Sequence, residues 1–263
     1  MNYIALSYWD LTLASILILA NGLISFWFRL GLEKTLLINT TRMLIQLSLI
    51  GFVLKFIFNQ TSPLWTIALA TIMVLVAGRE VAARLSTRLA GWWSYGIGTS
   101  TMFFISVSTT LLAVAFVISP DPWFAPRYVL PLLGMVLGNT LSGISLGLET
   151  LITTLKRERN SIEARIALGH KRFQAIEQPV RQALKTGMMP IINAMAASGV
   201  VSLPGMMTGQ IMAGADPVEA TKYQILIMFL LGGATATGTL LAVIASAFRL
   251  TDERARLRLD RLV

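Results

Sequence analysis

Runs of about 20 apolar residues, separated by short polar stretches, recur along this chain, and each is long enough to cross a bilayer. The pattern predicts seven spans at roughly 10–28, 37–57, 64–83, 94–118, 129–152, 188–213 and 223–248. The fold class expected is all-α, a polytopic membrane protein forming one transmembrane domain over residues 1–263. The third run is the weakest, because Arg79 and Glu80 sit near one end, where they can snorkel or pair. Trp9, Trp65, Trp92, Trp93, Tyr95, Trp123 and Tyr128 fall near predicted span ends, as an interfacial aromatic belt does. Asp10 precedes the first run, with no basic leader and no small-residue cleavage site after it. That run reads as a first span, not a removed signal peptide.

The sixth run differs from a helix that only spans lipid. Ala196–Gln224, AASGVVSLPGMMTGQIMAGADPVEATKYQ, holds Pro204, three methionines and several glycines. Pro204 has no N–H and breaks or kinks a helix, and irregular backbone at membrane depth is tolerated only against protein or a water-filled cavity. Gly205 and Gly209 form a small-xxx-small pair that permits close helix approach. The segment is therefore expected to line a pathway or an interface through Ser202, Pro204, Gly205, Met206, Met207, Gly209 and Gln210. The plainer alternative is that Pro and Gly are common in membrane helices generally.

Other polar residues inside the runs are further candidates. Arg42, with Gln46 one turn later, would cost roughly 2.5–3.5 kcal/mol at the bilayer centre if it faced lipid, so it is expected to face the bundle or snorkel. Asn139 stands between Gly134xxxGly138 and Gly143xxxGly147, as glue to another helix or as a pathway residue. Asn193 belongs to the same pathway set. The methionines at 188, 189, 195, 206, 207 and 212 are either adaptable packing or soft ligands; thioethers suit Cu(I) better than iron.

Composition and charge sharpen the picture. Of the 263 residues, 55% are hydrophobic and 13% charged, against about 25% charged in soluble domains. The net charge of +9 is a topology signal rather than a nucleic-acid footprint. With the N-terminus outside and the C-terminus cytoplasmic, 18 of the 22 Lys and Arg fall on cytoplasmic segments. The longest polar segment, 153–187, alternates charge with Ile162, Ile166, Phe173 and Ile176 and predicts short amphipathic helices. They either lie on an anionic membrane surface or dock a cytoplasmic partner. The terminal TDERARLRLDRLV is assigned only to orientation and helix ending.

No enzyme chemistry is visible. There is no Cys, a single His, no phosphate-cradling glycine loop before a Lys, and no His-Glu-x-x-His pattern. No cofactor is expected on this chain.

Three stretches carry a resemblance. Leu30–Phe58, LGLEKTLLINTTRMLIQLSLIGFVLKFIF, is similar to the amino-terminal signature of FetB-type permeases; Leu133–Asn139, LGMVLGN, and Val201–Gln224 are similar to their two further motifs. The resemblance implies the membrane subunit of an iron-export ABC transporter in a bacterial inner membrane. Its ATP would be bound and hydrolysed by a separate ATPase, in a complex of two permeases and two ATPases. Glu163–Gly169, EARIALG, is similar to the coupling loop that many ABC permeases insert into their ATPase. This gives Glu163, Ala164, Arg165 and Gly169 a docking role, with Arg165 in place of the usual second Ala. Plant members of the family have been linked to nucleotide-sugar transport, so a non-metal solute is the alternative cargo. A signalling or scaffold protein coupled to an ATPase is a second alternative. An ion-coupled carrier or channel would call for midspan acids, which the runs lack.

Overall fold

The computed structural model describes residues 7–59, 62–252 and 256–263, and among these every regular element is helical. The chain groups into two compact units, one up to residue 61 and one from 62 to 263.

The first unit is a helical hairpin. Helix α1, Tyr8–Trp27, starts in a capping box: the Trp9 N–H donates to Ser7 Oγ (3.3 Å) and the Ser7 N–H to Asp10 Oδ2 (2.8 Å). Its turn into α2, Glu33–Ile57, places Arg29 (φ 53°) and Gly31 (φ 69°) in the left-handed region. Ser25 fixes this turn by donating to Glu33 Oε1 (2.8 Å) and accepting from the Leu32 N–H (3.1 Å).

The second unit contains α3, Pro63–Arg84; α4, Trp93–Leu112, continued by a π-helical turn Ala113–Ile118; and α5, Pro126–Arg157. Then come α6, Arg159–Ala167; α7, Arg172–Ala175; α8, Glu177–Ala197; α9, Gly205–Met212; and α10, Pro217–Arg249. Proline at the first helical position starts α3, α5 and α10, and the Asp216 carboxylate caps α10 by accepting from the Val218 and Glu219 N–H groups (2.9 and 3.1 Å).

Six helices are long and apolar enough to span a membrane: α1, α2, α3, α4 with its π turn, α5 and α10. Six of the seven predicted spans thus stand within a few residues, including the weak third one. The sixth is corrected. Residues 188–213 are not one helix, because the chain leaves α8 at Ser198 and re-enters helix only at Gly205. The long connection is also shorter than 153–187: α5 runs on to Arg157 and α8 already begins at Glu177.

The core of the second unit is a three-helix seam of α5, α8 and α10 almost without side-chain volume. A Cβ placed on Gly187 of α8 would lie 2.6 Å from the Gly143 carbonyl oxygen of α5 and 2.6 Å from Thr239 Cγ2 of α10. One on Gly143 would lie 2.6 Å from Thr235 Cγ2, and one on Gly238 2.6 Å from Thr140 Cγ2. Lipid gives no hydrophobic drive for such packing, so close backbone approach and dispersion hold it. Leu148, Leu151, Ile152 and Leu155 of α5 continue the seam as a buried apolar stripe that also receives Ile162 of α6 and Ile176.

The C-terminal segment does more than end a helix, as the sequence assigned it. Arg88 and Val263 exchange backbone hydrogen bonds (2.9 and 2.8 Å), and the Ala90 N–H donates to Arg261 O (2.7 Å). Leu257, Leu259 and Leu262 pack on the core. Arg258 grips Asp260 through both carboxylate oxygens (2.9 and 2.8 Å) and holds that carboxyl down at about 2. Deleting 257–263 removes four backbone hydrogen bonds to the rest of the chain, the fourth from the Arg258 N–H to Leu250 O (2.8 Å), worth about 1 kcal/mol each, besides the leucine contacts. The purified protein should then melt several degrees lower; an unchanged melting curve would show that the pairing adds nothing.

Candidate functional site

The broken segment still traverses the second unit. Gly187 lies beside Thr239, Met195 Sδ lies 3.4 Å from a Cβ built on Gly232, and Met207 Sδ accepts from Thr221 Oγ1 at 4.0 Å. Increasing numbers on α8 and α9 thus meet decreasing numbers on α10, so the path runs antiparallel to α10 almost to its start. The break itself is local chemistry. The Ser198 N–H and hydroxyl both return to Ala194 O (3.1 and 2.7 Å), which closes α8. Gly199 takes φ +88°, and its N–H donates to Ser202 O (2.9 Å). Pro204, extended at φ −61° and ψ 145°, then caps α9.

Where the helix is interrupted, side chains from α8, the 198–204 loop, α9 and α10 enclose a cavity of about 470 Å³. Met195, Met207 and Met228 line it from three helices, and Gln224 and Thr221 line it from α10. Gln224 is 7% exposed, and its Oε1 has no hydrogen-bond partner among the described residues. Among the described residues no group of three His, Asp or Glu is placed to hold a metal ion.

Of the candidates read from the sequence, Pro204 and Met207 line this cavity. Met206 instead packs on the cluster around Ile105, Val136 and Leu231. Gln210 is partly buried with Oε1 unbonded among the described residues, and Ser202 is exposed in the loop. Gly205 and Gly209 have open space where a Cβ would stand, so close packing within this chain belongs to Gly143, Gly147 and Gly187 instead. Asn193 is exposed on α8, and Asn139 donates to Met135 O of its own helix (2.9 Å) rather than across a helix contact. In the first unit Arg42 and Gln46 share a groove on α2 with Thr41 and Ile45. Sequence reasoning missed Gln224, Thr221 and Met228. A Gln inside an apolar run, at the end of the quoted motif, was the available signal for Gln224.

A second exposed feature lies at the opposite end of the unit. On α6 only Ile162 is buried, while Glu163, Ala164, Ala167, Leu168, Gly169 and His170 are exposed, Leu168 at 80%. Arg165 is half-buried, and its carbonyl accepts from the His170 N–H (3.1 Å), closing the tip. Glu163 pairs with Arg159 (2.8 Å) on the solvent side. Gly169 sits at φ +90°, a conformation L side chains rarely adopt. The next turn is bolted to α10: Arg172 lies 5.0 Å from the Phe173 ring and 4.9 Å from that of Phe248, and the two rings meet edge-on at 4.7 Å.

Comparison with known proteins places these features in context. The model of an uncharacterised protein family, UPF0014, matches residues 8–250. A UPF0014 membrane protein of Synechocystis is 37% identical over 226 residues, covering 85% of each chain. The protein ALUMINUM SENSITIVE 3 of Arabidopsis thaliana is 35% identical, over 86% of this chain and 81% of its own. The probable iron export permease protein FetB of Escherichia coli is 30% identical, over 96% of this chain and 95% of its own. No solved structure matches.

Proposed function

The chain belongs to the UPF0014 family of multi-pass membrane proteins, and from that premise we propose that it is the permease subunit of an ATP-driven exporter that carries a metal ion across a bacterial inner membrane. The observation that carries the reading is the α6 tip: a short exposed helix, anchored by buried Ile162 and tied through Arg172 and Phe173 to α10. A surface so built accepts force from a soluble partner and passes it to the spans. In this reading that partner is an ATPase, since the chain has no phosphate-binding loop with which to hold ATP itself. The basic residues of α6, α7 and the start of α8 support a cytoplasmic position for this end, with the N-terminus outside. Two permeases with two ATPases complete the complex, and ATP is held by the partner. FetB's name makes iron the first cargo to test.

Inside-out vesicles containing this chain and its ATPase should take up cargo with ATP and stop with vanadate. ATP hydrolysis without movement of any tested metal would replace the exporter with an ATPase-coupled scaffold.

A further inference from the structure

We infer that the groove between α3 and the start of α4 holds an anionic phospholipid, with its phosphate on the Arg79 guanidinium and an acyl chain along Leu75 and Val76. The inference stands on the membrane-spanning fold and goes beyond the permease reading. Leu75, Val76, Arg79, Gly91, Trp92 and Tyr95 line an open groove of about 590 Å³. Leu75 and Val76 lie four and three residues before Arg79, on the same face of α3. All three are exposed, so in a bilayer this face meets lipid rather than the rest of its unit. Arg79 makes no hydrogen bond or ion pair among the described residues. Glu80, next in sequence, is turned about 100° around the helix and does not line the groove, and no other carboxylate does.

Depth selects the anion. Sixteen residues separate Arg79 from Pro63 at the far end of α3, about 24 Å at 1.5 Å of rise per residue, against a hydrocarbon layer about 30 Å thick. The guanidinium therefore stands at the edge of the apolar layer, where an unpaired charge is costly and the abundant anion is a lipid phosphate. The aromatic pair marks the same level. Trp92 and Tyr95 meet edge-on with ring centres 6.3 Å apart, and Trp92 is 83% exposed; amphipathic rings of this kind settle among headgroups. Gly91, at φ +70°, turns the chain into α4 and has open space where a side chain would stand, which leaves room for a headgroup. This end is basic beyond the groove as well: Arg84 and Arg88 are exposed, and Lys156 donates to Thr87 (2.8 Å). Such a field favours a lipid of net negative charge over a zwitterionic one, whose own ammonium offsets its phosphate. A guanidinium grips phosphate through two N–H donors. A soluble phosphate would leave Leu75 and Val76 uncovered, so the occupant is the lipid.

Full-length protein, stripped of lipid in detergent, is titrated with phosphatidylglycerol and separately with phosphatidylcholine, and bound lipids are counted by native mass spectrometry. The first phosphatidylglycerol should bind several-fold more tightly than the first phosphatidylcholine. Arg79→Gln should weaken that first step by about 5- to 10-fold, the loss of one guanidinium–phosphate pair, and leave phosphatidylcholine unchanged. Arg79→Lys, which keeps the charge, should retain part of the preference. Arg84→Gln, outside the groove, should change neither affinity; an equal loss there would replace the site with a diffuse basic surface. Position is read independently with phosphatidylglycerol brominated on its acyl chains, which quenches tryptophan fluorescence on contact. Trp92→Phe should remove part of the quenching, and Arg79→Gln should lower it with Trp92 still in place. Equal affinity for the two lipids, full binding in Arg79→Gln, or quenching untouched by Trp92→Phe would each overturn the site. Displacement of the lipid by an equal concentration of glycerol 3-phosphate would overturn it in favour of a soluble anion. Melting of each variant is followed on the same preparations. If Arg79→Gln melts lower, Trp92→Ala, at an exposed position, carries the test: it should weaken phosphatidylglycerol binding, and full binding there would equally overturn the site.

Discussion

Gly187→Leu is expected to prevent stable assembly of the α5–α8–α10 seam. The new Cβ alone would stand 2.6 Å from the Gly143 carbonyl oxygen and 2.6 Å from Thr239 Cγ2, and a backbone oxygen within a helix cannot swing aside. Overpacking a core commonly costs about 1–3 kcal/mol where side chains yield; here two helix backbones must part, so the loss exceeds about 3 kcal/mol. Gly187→Ala should already lower the melting temperature, because it adds the same atom. Gly205→Leu and Gly209→Leu, which point into open space, should leave it nearly unchanged. The measurement is the melting transition and monodispersity of the purified protein. A Gly187→Leu protein as stable as the parent would mean that the seam is not packed as described.

Gly169→Pro carries the second large effect, this time on partnership. Proline holds φ near −65°, while Gly169 lies at +90°. Proline also deletes the N–H that donates to Ile166 O (2.9 Å) and ends α6. The exposed tip must then refold, while Ile162 keeps the base of the helix buried. Co-purification with the ATPase should be lost, with insertion and yield of the permease preserved. Glu163→Lys should weaken association through reversed charge on the same face, and it also breaks the Arg159 pair. That pair is exposed and contributes little to stability, so a binding defect in Glu163→Lys would report on docking. Normal ATPase binding in both variants would sink the docking role of the tip.

What the sequence shows and what it hides divide along physical lines. Span existence depends on hydropathy summed over about 20 residues, which is robust, and α1 to α5 and α10 follow it. The sixth run misleads because its sum counts Val200, Val201 and Leu203, which sit in a loop rather than a helix, together with the apolar residues of α8 and α9. Pro204 announces a break there, but its extent depends on Gly199 at φ +88° and on the Ser198 cap. Glycine spacing does not reveal contacts within the chain, for a related reason. Small-xxx-small spacing says that close approach is possible, not that a neighbour arrives. Gly205xxxGly209 and Gly143xxxGly147 look alike in sequence, and only the second pair has Thr239 against it. Asn139 turns inward on Met135 because a short amide reaches the carbonyl one turn back at least as readily as another helix. Gln224 stayed hidden because its burial beside the cavity is a property of the tertiary surroundings rather than of its own run.

The seam has a mechanical meaning as well. Around Gly238 and Thr239, helix α10 is pinned between α5 and α8 with no slack, and its two ends extend unequally from that point. Phe248, in the ring stack with Arg172, lies nine residues to one side, and Gln224 lies fifteen to the other. At 1.5 Å of rise per residue the arms are about 14 and 22 Å long. A rigid rod on such a fulcrum would multiply displacement by about 1.7, so a push of about 2 Å at the Phe248 end would swing Gln224 by about 3 Å the opposite way. A stroke of that size would change the width of the cavity that Gln224 and Met207 line.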